Sequence, residues 1–194
     1  MNRVGIYSGT FDPVHVGHIE FALQAINMCQ LAKTILLPEP QPREKSDVCA
    51  ISHRLNMLRM ASRPYPKLEV IALDSKQFTV QETLPLLQAR QPNDQLVYLC
   101  GSDVAKTFLY RWPGLSTLLK TTEIVVGLRN EDSEEEIRMI FNELLYSEGV
   151  AAKYTVLKAP AHLLASTMLR NDMHTINDVD PAVAAYITKN NLYS

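Results

Sequence analysis

The chain has 194 residues, 46% of them apolar and 21% charged, which is enough for one substantial core and short for two. A net charge of −2 and a pI near 6.2 give no sign of a nucleic-acid or anionic-membrane partner, with room left for small local basic clusters. Cys29, Cys49 and Cys100 lack Cys-x-x-Cys spacing and a nearby histidine pair, so they read as reduced thiols in the cytoplasm, with neither a disulfide frame nor a zinc site expected.

Strand-like and helix-like segments alternate. Residues 4–8 (VGIYS) form a short apolar strand that runs into polar turn residues, unlike a signal peptide. A helix follows over 16–30, where Ile19, Ala22, Leu23 and Ile26 recur at helical spacing. Residues 34–37 (TILL) are a buried strand stopped by Pro38, and 38–47, rich in proline and charge, is a loop. A helix over 50–62 has Leu55, Met57 and Leu58 on its apolar side; 68–73 alternates as a strand, and 79–90 is helical despite Pro85. Residues 95–100 (QLVYLC) are a strand ending at Gly101-Ser102-Asp103, and 124–128 is another, followed by an acidic helix over 131–146. A last strand at 154–157 precedes helices at 166–172 and 180–189. No apolar run is long enough to cross a membrane.

The alternation predicts one α/β domain over 1–194: a doubly wound, mostly parallel sheet with helices on both faces and a small C-terminal helical segment. Ligands of such sheets sit beyond the carboxyl ends of the strands, where strand order reverses. Chemistry is therefore expected in the loops after the first, second and fourth strands, and in the segment before Arg170.

The first of these loops reads GTFDPVHVGH over 9–18. Gly9 can turn sharply where the strand ends, and Gly17 permits close approach to an opening helix. His15 and His18, three apart, share a face of its first turn. Two imidazoles beside the N–H groups of a positive helix end make an anion site suited to a polyphosphate. A lone His-x-x-His reads more plainly as one surface and one core histidine; the surrounding string is what points to chemistry.

That string resembles the signature of the nucleotidyltransferase superfamily written (T/H)-x-G-H, and its context is similar to the nicotinate mononucleotide adenylyltransferase family. Residues 166–170 (STMLR) resemble the family's Ser-Thr-x-x-Arg motif at a helix start, where a guanidinium can fork onto phosphate oxygens. Residues 51–60, Phe78-Thr79 with Thr83-Leu84, Gly101-Ser102-Asp103, Trp112 and the end of the chain resemble further family segments. There are departures: Pro42-Arg43-Glu44-Lys45 stands where the family has Pro-Pro-His-(Lys/Arg), and Ala165 replaces a serine.

The resemblance implies a Rossmann-like enzyme that joins ATP to nicotinate mononucleotide, releases pyrophosphate and uses Mg²⁺ with ATP. By it, Gly9, Thr10, Phe11, His15, His18, Gly101, Asp103, Ser166, Thr167 and Arg170 hold ATP, with Asp103 accepting from a ribose. His15, His18, Lys45 and Arg170 neutralise charge on the reacting phosphates. Lys45, Thr79 and Trp112 meet the mononucleotide. Nothing near Thr79 or Trp112 is an obvious cation for a pyridine carboxylate, although backbone N–H groups in 101–113 could serve, so the preference for the acid rests on the resemblance. Other readings are transfer to nicotinamide mononucleotide or phosphopantetheine, cytidylyl transfer, and an ATP-sensing module without turnover; a homo-oligomer is compatible with the sequence.

Overall fold

The computed structural model describes residues 1–43, 47–129, 132–158 and 178–193. Its strands are β1 (Arg3–Gly9), β2 (Lys33–Pro38), β3 (Leu68–Val70), β4 (Gln95–Gly101), β5 (Glu123–Leu128) and β6 (Tyr154–Lys158). They form one sheet in the order β3-β2-β1-β4-β5-β6, and every pairing is parallel. This is the doubly wound Rossmann-like order, and it reverses between β1 and β4. The helices are α1 (Val16–Met28), α2 (Ile51–Ser62), α3 (Thr83–Arg90), α4 (Ser102–Thr107), α5 (Leu115–Thr121), α6 (Glu134–Glu148) and α7 (Pro181–Lys189).

Apolar side chains alternate along the strands and fill two layers. Val4, Ile6, Ile35, Leu37, Tyr98 and Val126 pack with α3, α5 and α6 on one face. Tyr7, Leu36, Val97, Leu99 and Val125 pack with α1, α2 and α7 on the other. Each fully buried Leu or Ile contributes about 1.5–3 kcal/mol. Gly127 on β5 lets α1 approach, because a Cβ there would lie 2.7 Å from the Phe21 ring. That contact seats the middle of α1 against the carboxyl end of β5.

Several elements differ from the sequence reading. The helix expected over 79–90 begins at Thr83, which makes Pro85 its third residue. A proline is tolerated in the first turn, where its missing N–H has no helical partner. Strand β3 ends at Val70, with only the Ile71 N–H bond to the Leu36 carbonyl continuing the pairing. Helices α4 and α5, of 6 and 7 residues, were not expected and are too short to show periodicity. Helix α6 starts later than expected: Ser133 Oγ accepts from Glu136 N–H, while Glu136 Oε2 accepts from Ser133 N–H. On α2 the buried stripe is Arg54, Met57, Leu58 and Ala61, so Arg54 takes the place expected of Leu55. The expected helix over 166–172 lies outside the described residues. Among the described residues no helix is long and apolar enough to cross a membrane.

Candidate active site

The loop from Gly9 to His15 leaves the carboxyl end of β1 and opens α1. Its turn is at Phe11, in the left-handed region with φ 49°, and Gly9 keeps an ordinary negative φ. A left-handed non-glycine residue costs about 1–3 kcal/mol and persists only when its surroundings hold it. Here the buried Phe11 ring lies edge-on to Tyr7 at 5.3 Å and to His18 at 5.0 Å. Asp12 is fully buried; Oδ1 accepts from the Tyr193 hydroxyl at 2.5 Å and Oδ2 from Cys49 N–H at 3.3 Å.

Arg54 ties the loops together. Its guanidinium donates to the carbonyls of Cys49 (2.7 Å), Thr10 (2.8 Å), Glu39 (2.8 Å) and Pro40 (3.0 Å). One buried cation thus satisfies carbonyls from the loop after β1, the loop after β2 and the segment entering α2. Burial disfavours its charge, and Asp12 is the largest electrostatic contribution in the other direction.

His15 is the N-cap of α1 and His18 its third residue, with ring centroids 3.7 Å apart. His15 N–H donates to His18 Nδ1 at 3.2 Å, and His18 N–H donates to the His15 carbonyl at 3.0 Å. Because Nδ1 accepts, the neutral His18 ring carries its proton on Nε2. Burial, then the charge of Arg129, lowers the pKa of His15 to about 4. With that shift His15 is neutral at pH 7 and can act on an anion as a hydrogen-bond donor.

Gly101, at the end of β4, lines a recess with Tyr7, His15, His18 and Arg129. A Cβ on Gly101 would lie 2.9 Å from Arg129 Nε and would also meet Asp103. Arg129 pairs with Asp103 at 3.2 Å, and its N–H donates to Ser102 Oγ at 3.0 Å. His15 also borders a larger cleft of about 560 Å³ between α1, α2 and α7, lined by Val14, Glu20, Tyr65 and Asp180. A helix N-terminus, two imidazoles and a guanidinium thus meet at the β1–β4 crevice, an arrangement that favours a phosphorylated ligand.

On the other side of β1, Thr79 caps the turn before α3, its Oγ1 accepting from Glu82 N–H at 3.1 Å. Trp112 is half-buried, edge-on to Phe108 at 5.1 Å. Arg43 reaches both segments: its guanidinium lies 5.5 Å from the Trp112 ring centroid and donates to the Phe78 carbonyl at 3.3 Å. The sequence reading expected no cation here.

The Cytidylyltransferase-like family matches residues 6–172. The chain belongs to that family. Among its relatives, the nicotinate-nucleotide adenylyltransferase of Bacillus subtilis is 29% identical over 203 residues, spanning 100% of this chain and 99% of the relative. A protein named probable nicotinate-nucleotide adenylyltransferase from Neisseria gonorrhoeae is 29% identical over 201 residues, with the same shares covered. In fold, the chain is similar to the nicotinic acid mononucleotide adenylyltransferase of Plasmodium falciparum complexed with NaAD. The TM-score is 0.80 at 20% identity, covering 100% of this chain and 98% of that one.

In this cytidylyltransferase-like chain, Gly9, Thr10, Phe11, His15, His18, Gly101 and Asp103 all fall in or beside the loops at the carboxyl ends of β1 and β4. Thr79 and Trp112 lie in two segments bridged by Arg43. Lys45, Ser166, Thr167 and Arg170, with the departures at Glu44 and Ala165, lie outside the described residues. Among the described residues no group of three or more His, Cys, Asp or Glu side chains converges as a metal site. Sequence reading missed Arg129, Arg54 and Arg43. Arg54 had a signal, a charged residue at core spacing with Met57, Leu58 and Ala61; Arg129 and Arg43 reach their neighbours only through tertiary structure.

Proposed function

We propose that this protein is an adenylyltransferase that joins ATP to nicotinate mononucleotide, giving nicotinate adenine dinucleotide and pyrophosphate. The observation that carries the reading is the full-length likeness to relatives named for that reaction. The site supports it with chemistry suited to charge on phosphates.

A phosphate oxygen of the mononucleotide attacks the α-phosphorus in line, and the bond to the bridging oxygen breaks as pyrophosphate leaves. No protein nucleophile is needed, so the work is positioning and electrostatic stabilisation. His18 Nε2–H donates to a phosphoryl oxygen as charge builds, with Nδ1 held by the cap of α1. His15, neutral beside Arg129, adds a second donor. Asp103, oriented by Arg129, accepts from a ribose hydroxyl of ATP. Gly9, Thr10, Phe11 and Gly101 shape the crevice, while Ser166, Thr167 and Arg170 cradle the β- and γ-phosphates by their motif. Lys45 offsets charge on the acceptor, and Thr79 and Trp112 flank the pyridine ring. Magnesium enters with ATP, held by the phosphates and offsetting their charge. Asp12 and Asp103 are engaged by Tyr193 and Arg129, which suits a metal carried by the substrate rather than by a protein cage.

The test is pyrophosphate release from Mg·ATP with nicotinate mononucleotide, nicotinamide mononucleotide or phosphopantetheine as acceptor. The expected result is no release without acceptor, and a kcat/KM for nicotinate mononucleotide at least roughly tenfold above the others. Faster release with phosphopantetheine, or none with either pyridine mononucleotide, overturns the reading.

A further inference from the structure

The anchoring of Arg43 gives this chain a cation that its sequence did not reveal. The loop after β2 is laced to its surroundings on both sides. Glu39 N–H donates to the Gly9 carbonyl at 3.0 Å, and Gln41 N–H donates to the Lys76 carbonyl at 2.7 Å. Arg54 holds the Glu39 and Pro40 carbonyls from beneath. Glu39 Oε1 accepts from Phe78 N–H at 3.1 Å and from Ser8 Oγ at 3.0 Å, which ties that side chain to β1 and to the Phe78 segment.

From this fixed base the Arg43 guanidinium bonds to the Phe78 carbonyl and covers the Trp112 ring. Both contacts orient the fork. The cation–π contact with Trp112 uses none of its N–H groups and the Phe78 carbonyl uses one, leaving further donors on the fork. Among the described residues Arg43 has no ion pair. A guanidinium held between Phe78 and Trp112, without an ion pair among the described residues, is suited to a planar carboxylate. An amide in the same place offers one neutral carbonyl acceptor instead of two charged oxygens, and its own N–H donors have no acceptor on the guanidinium.

We propose that Arg43 is a specificity-determining residue, whose guanidinium meets the carboxylate of a nicotinate ring and disfavours the nicotinamide form. This rests on the proposed function and extends it to one residue. The plainer role for Arg43 is packing over Trp112, which would affect both acceptors alike and would be indifferent to salt.

The experiment compares kcat/KM for nicotinate and nicotinamide mononucleotides at low and high salt in wild type, Arg43→Gln and Arg43→Lys. The guanidinium is exposed, which moderates its effect. Arg43→Gln, which keeps a donor but loses the charge, should lower the acid-to-amide ratio roughly five- to tenfold, chiefly through KM for the acid. The KM for ATP should change little. Arg43→Lys should recover part of the ratio, and added salt should erode it in wild type but not in Arg43→Gln. An unchanged ratio in a folded Arg43→Gln enzyme that still uses the acid overturns the inference alone. Wild type inactive with both mononucleotides overturns the function and the inference with it.

Discussion

The two ring nitrogens of His18 have separable roles. Nδ1 accepts from His15 N–H at 3.2 Å and closes the first turn of α1, while Nε2 carries the proton offered to phosphate. Asn at this position retains a side-chain acceptor near Nδ1 and has nothing at Nε2; Ala has neither. Losing such a cap costs about 1 kcal/mol. Losing the ring's packing on Phe11 and His15, at 5.0 and 3.7 Å, adds about 0.5–1.5 kcal/mol. Near 2 kcal/mol in total, His18→Ala should lower Tm by roughly 4–8 °C, and His18→Asn by less. Turnover should follow a different pattern. Both variants lose the same donor, so both should lower kcat by roughly 10²–10³, worth about 2.7–4 kcal/mol in the transition state. Thermal unfolding and steady-state pyrophosphate release, on the same preparations, measure the two effects. A folded His18→Asn enzyme with near-normal kcat would refute the donor role and leave His18 a capping residue.

Arg54→Ala removes the donor for four backbone carbonyls and should cost roughly 3–5 kcal/mol in urea unfolding, with Arg54→Lys recovering little because an ammonium has three donors. The pKa of His15 falls from 6.5 unfolded to about 4 folded, so the unfolded chain binds the extra proton between those values. Stability is then full above pH 6.5 and falls toward pH 4 by up to roughly 3 kcal/mol, a slope that His15→Gln should remove in denaturant titrations at several pH values. Excess chelator should abolish turnover and added Mg²⁺ restore it, with full activity in chelator counting against the charge accounting at the triphosphate.

Alternation of apolar segments was enough to expect the parallel sheet, because 4–7, 34–37, 96–100 and 124–128 are continuous buried runs. Caps set helix starts that periodicity alone did not give: Ser133 with Glu136 opens α6, and Asp180 before Pro181 caps α7 through the Ala182 N–H. Helices α4 and α5 were hidden because neither spans two full turns, and the Pro113-Gly114 pair between them reads as a turn. The sharp turn was expected at Gly9 on conformational freedom, yet it falls at Phe11, where Tyr7 and His18 cage the ring from residues distant in the turn. The His15–His18 pair was visible, but not that burial and Arg129 keep His15 neutral. Arg43 was invisible as a neighbour of Trp112 because the contact depends on how the loop after β2 is pinned to Lys76 and Phe78.

Attack at the α-phosphorus is tested most directly by isotope position. Protein, Mg²⁺, nicotinate mononucleotide and ATP labelled at the α-phosphate are incubated, and the products are separated. Label should appear in the dinucleotide in proportion to pyrophosphate formed, with none in the pyrophosphate itself. With ATP labelled at the γ-phosphate, all transferred label should be in pyrophosphate. Label from the γ-position on the mononucleotide, or ADP as the nucleotide product, would contradict adenylyl transfer.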